Sequence, residues 1–588
     1  MCVMVFMFVI LSFRVYYLQV IERDEFSRLS RNNCIRLQSI EPPRGLIFDR
    51  QGRLLVENRP AFDLSVILKD AKPLDETIEK LSGYTSIPAD EIKSKIEKKK
   101  RGMGYKPILL RHDIGRDTLA AVEVHKFDLP GVALSIKPRR HYIQKSAAHL
   151  IGYLSEISAK ELKKPEWRGY RGGDYIGKFG VEKAFETVLT GKRGGRQVEV
   201  NATGQVVRVL KTVEAQPGHN LYLTIDHNLQ KKAEELLKNL AGAVVAMDPD
   251  SGEILAMASS PSFDQNSFVS GMSYKQWKKL SSNPDRPMRN KVIQGEYPPA
   301  STYKIITAMA GLEEGLVDER TRINCPGHYE YGDRTFRCWK ASGHGRVNLE
   351  DALGVSCDVF FYHLGQKIGV EKLSWYARAC GLGVFTGVNL GHEAEGLTPT
   401  GTWKKRKTGV PWRGGETLSV AIGQGYNLAT PIQLLVMISA VANRGIRYQP
   451  IIVKEIRDAG GHVLKKSVPL TTGRLPASPK TLSLIRKALW NVVNKSNGTA
   501  WSIRIPNVQM SGKTGTAQLV SRKLNEDAMK KKPDHLKAHA LFVAYSPQEN
   551  PKIAVSVIVE HGEHGAASAG TISRDLIKVY MDERRGGE

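Results

Sequence analysis

The chain has 588 residues and a formal net charge of +26, with 41% hydrophobic and 7% aromatic residues. This composition excludes wholesale disorder and gives room for several domains with real cores. Basic runs at Lys98-Lys99-Lys100-Arg101, Lys404-Lys405-Arg406-Lys407 and Lys530-Lys531-Lys532 come without an aromatic-interleaved motif or a DNA-reading helix pattern. They read as solvated faces suited to anionic lipid or wall polymer, not as a nucleic-acid site.

Residues Met1 to Leu11 are continuously apolar, Ser12 and Arg14 interrupt, and Val15 to Ile21 continues to the first acidic residue, Glu22. A spanning helix needs about 20 mainly apolar residues. The stretch reaches that length with Arg14, Tyr16 and Tyr17 near the outer interface, and no small-residue cleavage site is evident. The reading is an uncleaved signal anchor over residues 1–21, with a buried core helix as the alternative. Because no Lys or Arg precedes the segment, the positive-inside rule predicts a short cytoplasmic tail ahead of Met1.

Further along, Lys93-Ser94-Lys95-Ile96-Glu97 reads as a charged helix offering a contact surface. After Gln216-Pro217-Gly218, Ala243 to Met247 and Glu253 to Met257 flank Asp248-Pro249-Asp250-Ser251-Gly252, a strong hairpin signal. Ala540 to Tyr545 and Ile553 to Val559 flank a second turn, and a strand carrying Lys513 makes five. The predicted fold class is α/β of the α+β type, a five-stranded antiparallel sheet flanked by helices. No internal repeat is obvious.

Three strings in a fixed order carry the chemistry: Ser301-Thr302-Tyr303-Lys304, Ser356-Cys357-Asp358 and Lys513-Thr514-Gly515. Ser301 follows Tyr297-Pro298-Pro299-Ala300 and precedes an apolar run, so a helix is predicted to open there. Residues three apart on that helix share a face, which puts Lys304 within reach of the Ser301 hydroxyl as a base, with Lys513 as a second cation that disfavours its ammonium form. Ser356 can pass a proton between Lys304 and a leaving amine. Asp358 can hold Lys304 by charge or contact substrate amide donors, or alternatively cap a helix. Lys513 with Thr514, Gly515 and Thr516 suits a seat for a terminal carboxylate, and the backbone N–H groups of Ser301 and Thr516 form a candidate oxyanion hole. Taken together, the set predicts acyl transfer through a serine ester.

Of six cysteines, Cys325, Cys338 and Cys357 fall in one window with His344, while Cys2, Cys34 and Cys380 lie elsewhere. Three thiolates and an imidazole are a usual structural zinc set, although the CxxC spacing of a finger is absent. A Cys325 to Cys338 disulfide and free buried thiols are the alternatives.

The three strings resemble those of class B penicillin-binding proteins, monofunctional transpeptidases, and the resemblance extends over nearly the whole chain. Pro43-Arg44-Gly45-Leu46-Ile47-Phe48-Asp49-Arg50-Gln51-Gly52 resembles the string that opens the family's extracytoplasmic part, and Gly177 to Lys183 with Leu189-Thr190-Gly191 its second pedestal segment. Ala421-Ile422-Gly423-Gln424-Gly425, Thr430-Pro431-Ile432-Gln433 and Val559 to Gly565 are similar to late motifs. Asp358, where many relatives carry Asn, points to the elongation branch; Ala300 stands where Gly is usual. The resemblance implies a membrane anchor (1–21), a non-catalytic pedestal and head of dimerisation type (22–219, the head over roughly residues 62–140) and a transpeptidase domain (220–588). It implies stem peptides of peptidoglycan as substrates and β-lactams as covalent inhibitors, with no cofactor required for catalysis. It further implies a bacterial inner-membrane location with the catalytic domain on the periplasmic side. A separate polymerase, a RodA-type glycosyltransferase within an elongation complex, is the implied partner. A serine carboxypeptidase or β-lactamase, with water as acceptor, and a non-catalytic penicillin-binding sensor remain as alternatives.

Overall fold

The computed structural model describes residues 2–24, 35–99, 107–200, 206–518, 533 and 536–586. Cys34 and the basic run at 530–532 lie outside the described residues. At the N-terminus the helix Cys2–Tyr16 runs on through a π-helical turn, Tyr17–Ile21. Its segment Val3–Ile21 spans 19 residues with a mean hydropathy of 1.9, and none of it is buried among the described residues. It is long and apolar enough to cross a membrane, and the core-helix alternative is not what forms.

The head has its own small core. Helices Leu74–Thr85, Ala89–Lys99 and Gly115–Val124 pack Ile78, Leu81, Ile92, Ile96 and Val122 against Leu64 and Leu110 of the strands Leu54–Val66 and Ile108–Arg111. Below it the early family strings meet in space. Arg44 reaches Glu182 and Glu186, each at 2.7 Å, and Arg140 binds the other oxygen of Glu182 at 2.7 Å. Ion pairs this buried are retained only when every charge has partners, so residues about 140 positions apart are held in one lock.

Strand Asn220–Leu223 runs parallel to Ile47–Phe48 and antiparallel to Val453–Arg457. One seven-stranded sheet therefore contains strands from both sides of the anticipated 219/220 boundary.

The sheet beside the site has the order Ile254–Ser260, Gly242–Met247, Ile553–Val559, His539–Ser546, Ser511–Ala517, every neighbour antiparallel. Its central strands are apolar on both faces because both are covered. Val245, Val543 and Ile558 join the core that holds the wholly buried helix Pro431–Ala442, while Val244, Phe542 and Val557 face the helices His227–Leu236 and Thr571–Gly586. Ser511–Ala517 is an edge strand, and its open side receives the segments described next.

Candidate active site

Ser301 does not open the α-helix as the sequence suggests. It lies half-buried in a 3₁₀ turn, Ala300–Tyr303, and the α-helix begins at Lys304. In a 3₁₀ turn residues i and i+3 eclipse, so the expected shared face survives the correction. Ala300 has φ of 50°, in the left-handed region, which explains why glycine is usual there and costs an alanine about 1 kcal/mol. The turn is held from behind. Ala300 N donates to Gly423 O at 2.8 Å, and a Cβ on Gly423, whose φ is 73°, would lie 2.1 Å from Ala300 O. The late string around Gly423 is thus the back wall of the Ser301 turn.

Lys304 is completely buried, and all three of its N–H bonds have acceptors: Ser356 O at 2.9 Å, Ser356 Oγ at 3.2 Å and Asp358 Oδ1 at 2.7 Å. Among the described residues, no side-chain hydrogen bond joins Ser301 to Lys304. Ser356 has φ of 55°, a strained backbone of the kind found at functional sites. Asp358 is the first residue of helix Asp358–Ile368, with Cys357 at the cap position, so the helix-cap alternative fails. Its second oxygen accepts the backbone N–H of Trp339 at 2.8 Å.

Lys513, completely buried although it stands on an edge strand, donates to Ser356 Oγ at 2.9 Å. The hydroxyl oxygen therefore accepts from two lysines, which uses both its lone pairs and leaves its own hydrogen free to be donated. Burial, and after it the charge of Lys304, drives the pKa of Lys513 well below the ordinary lysine value, with Asp358 opposing. Thr514 shares a 3.0 Å hydroxyl contact with Thr499, whose N–H donates to Gly354 O, and Thr516 O accepts from Gln424 Nε2 at 3.2 Å. A Cβ on Gly515 would sit 3.1 Å from Leu541 Cβ and 3.3 Å from Pro299 O, which lets the Ser301 turn lie close against the strand. The two segments carrying the expected oxyanion donors meet here.

The Cys325, Cys338 and Cys357 sulfurs and a ring nitrogen of His344 lie within 4.8 Å of one another. All three cysteines are free, so the disulfide alternative is not formed. His344 Nδ1 is 3.6 Å from both Cys325 Sγ and Cys338 Sγ. Tetrahedral zinc, with bonds of about 2.3 Å to sulfur and about 2.1 Å to nitrogen, spaces such atoms about 3.6 Å apart, so the set fits zinc. The cluster touches the catalytic strings: Asp358 N donates to Cys338 Sγ at 3.4 Å, and Trp339, next in sequence, holds Asp358.

Sequence reasoning missed Thr499, Gln424, Trp339 and Gly423 as site neighbours. Only Gly423 and Gln424 carried a signal, as part of a quoted string.

A buried serine hydroxyl shared by two lysines beside a second serine, on the edge of a helix-covered antiparallel sheet, defines a serine acyltransferase of the penicillin-recognising class. Comparison with known proteins makes the class definite. A family profile described as penicillin binding protein transpeptidase domain matches residues 242–578, and one described as penicillin-binding protein dimerisation domain matches residues 39–223. The chain belongs to the penicillin-binding protein transpeptidase family. It is similar to the peptidoglycan D,D-transpeptidase MrdA of Acinetobacter baumannii, with 37% identity over 98% of this chain and 86% of that protein. A solved complex between penicillin-binding protein 2 (PBP2) and MreC from Helicobacter pylori superposes with a TM-score of 0.81 at 31% identity, over 93% of this chain and 99% of the other. A structure described as structural coordination of polymerization and crosslinking by a peptidoglycan synthase complex matches with a TM-score of 0.74 at 30% identity, over 98% and 97%.

Proposed function

We propose that this protein is the peptidoglycan D,D-transpeptidase of cell elongation, with Ser301 as nucleophile, Lys304, Ser356 and Lys513 as its proton-handling set and Asp358 as the anchor of Lys304. The observation that carries this reading is the Ser356 hydroxyl held between Lys304 and Lys513 beside the Ser301 turn.

In the first step Ser301 Oγ attacks the carbonyl of the penultimate D-alanine. The C–N bond to the terminal D-alanine breaks, and that residue leaves as a free amine. Lys304, whose three N–H bonds are all engaged, takes the Ser301 proton as it passes one of its own to Ser356, which in turn gives its hydroxyl hydrogen to the leaving nitrogen, so Ser356 is the exit for the proton. In the second step an amine of a neighbouring stem attacks the ester, Ser301 recovers its proton, and a cross-link forms. Thr514, Gly515 and Thr516 with Lys513 seat the donor's terminal carboxylate, and the N–H groups of Ser301 and Thr516 take the oxyanion. β-Lactams acylate the same serine.

Cys325, Cys338, His344 and Cys357 hold a structural zinc ion that fixes the Ser356 to Asp358 segment; when bound it supplies rigidity and no chemistry. The helical segment from Cys2 to Ile21 anchors the chain in the inner membrane with the catalytic domain on the periplasmic side, and a RodA-type glycosyltransferase of an elongation complex is the partner that supplies new glycan. The likeness to a peptidoglycan synthase complex supports that pairing.

The deciding assay supplies stem-bearing glycan with and without an acceptor stem. Cross-linked dimers are expected. Release of D-alanine without dimers in the presence of acceptor would make the protein a carboxypeptidase.

A further inference from the structure

We propose that Trp403, Trp412 and Tyr426 form a sugar-binding subsite that seats the glycan strand from which the stem peptide hangs. The inference rests on the transpeptidase reading and extends it from the peptide to the sugar.

The position comes from the loop Gly423 to Tyr426. Gly423 backs the Ser301 turn, and Gln424 holds Thr516 on the edge strand. Tyr426, two residues on, is thereby fixed at the margin of the cleft, with 36% of its surface exposed. Trp403 lies edge-on to it with ring centroids 5.4 Å apart, and Trp412 is tilted against it at 6.2 Å. Both indoles are partly buried.

The supports beneath the rings are rigid. Trp412 Nε1 donates to Thr417 Oγ1 at 2.8 Å, and the buried Lys404 lies 5.9 Å from the centre of the Trp412 ring with its ammonium bound to Glu416 at 2.6 Å and to Pro411 O at 3.1 Å. Gly401 N is held by Glu371, and Thr400 caps helix Gly401–Thr408 through Trp403 N at 3.0 Å. Trp412 packs its inner side against the main core, while Trp403 and Tyr426 keep part of their ring surface in solvent without joining that core.

A pyranose ring has an apolar C–H face and a rim of hydroxyls. The face stacks on aromatic rings, and the rim takes hydrogen bonds from neighbouring donors. The exposed side chain of Arg406, three residues on from Trp403 in the same helix and so on its face, supplies donors. Continuity with the cleft selects the occupant, because the stem entering the Ser301 site drags its own glycan across the adjoining margin.

The test measures binding of a stem-free glycan tetrasaccharide of alternating N-acetylglucosamine and N-acetylmuramic acid to the full chain, beside a sugar-free stem pentapeptide. Trp403→Ala and Tyr426→Ala are expected to weaken the tetrasaccharide at least tenfold, with binding of the pentapeptide unchanged. Trp403→Phe and Tyr426→Phe should restore most of the loss. Phe127→Ala, in the head, should change neither. Tetrasaccharide affinity equal in wild type and both alanine variants would overturn the proposal, as would a loss confined to the pentapeptide. Penicillin labelling of wild type reads the transpeptidase assignment separately, since the tetrasaccharide carries no reacting group.

Discussion

Lys513 Nζ donates to Ser356 Oγ across 2.9 Å, although 157 positions separate the two residues. That bond closes the site, because it ties the edge strand of the sheet to the segment that also holds Lys304. Both lysines are completely buried, and in the proposed mechanism the shared hydroxyl is the route for a proton between them and the substrate.

Ser356→Ala removes the oxygen that both ammonium groups use. The expected result is a fall of about 10²- to 10³-fold in acylation by a β-lactam, in the range of lost acid–base catalysis, together with about 1–3 kcal/mol of destabilisation from buried donors left without a partner. Stopped-flow acylation and a denaturant melt check the two halves. Unchanged acylation in a folded variant would remove Ser356 from the proton path.

Gly423→Ala adds a Cβ 2.1 Å from Ala300 O at a φ of 73°. Something must move, and the neighbour is the backbone of the Ser301 turn. Acylation should drop about tenfold or more, since an ångström of misplacement at a reacting atom costs up to 10²-fold. A crystal structure of the variant should show the turn displaced.

How much of this was legible follows from what a linear reading can see. Hairpins announce themselves locally, so the strands around Asp248 to Gly252 and the pair His539–Ser546 and Ile553–Val559 fall within three residues of their expected bounds, the largest difference being the end of Ile254–Ser260. The Ser301 to Lys304 string stands out by its order and gaps relative to the other two strings. Its backbone does not: that Ala300 and Ser356 lie at positive φ is set by packing partners more than a hundred residues away in the case of Gly423. Thr499 and Trp339 carry no pattern of their own. They become site residues only because the turn after helix Pro479–Asn494 is laid beside Gly354 and one loop is drawn back over Asp358.

The zinc assignment predicts one equivalent of zinc in purified protein. Stripping it with a chelator should lower the melting temperature and slow acylation, because Cys338 and Trp339 both bind Asp358. Cys338→Ser should lose the metal. Metal-free unmodified protein with full acylation activity would end the assignment.

His539, on the strand next to the Lys513 strand, has its pKa lowered to about 4, chiefly by burial, then by His561 and Lys291, with Glu560 opposing. Its Nδ1 accepts the His561 backbone N–H at 3.0 Å, a bond that only the neutral ring can make. The unfolded chain takes up this proton near pH 6.5 and the folded chain near pH 4, so the stability is fully present above pH 6.5 and is lost as pH falls through that window. The loss is on the order of 3 kcal/mol. Melts of wild type and His539→Gln between pH 7 and pH 4 should converge at the acid end. Parallel curves would exclude His539 as a source of acid lability.

Covalent labelling tests the central claim most directly. Purified protein is treated with a fluorescent penicillin, the adduct is mapped by peptide mass, and the experiment is repeated with Ser301→Ala. The account predicts one label per chain on the peptide containing Ser301 and none in the variant. Labelling that persists in Ser301→Ala, or an adduct on another residue, would contradict it.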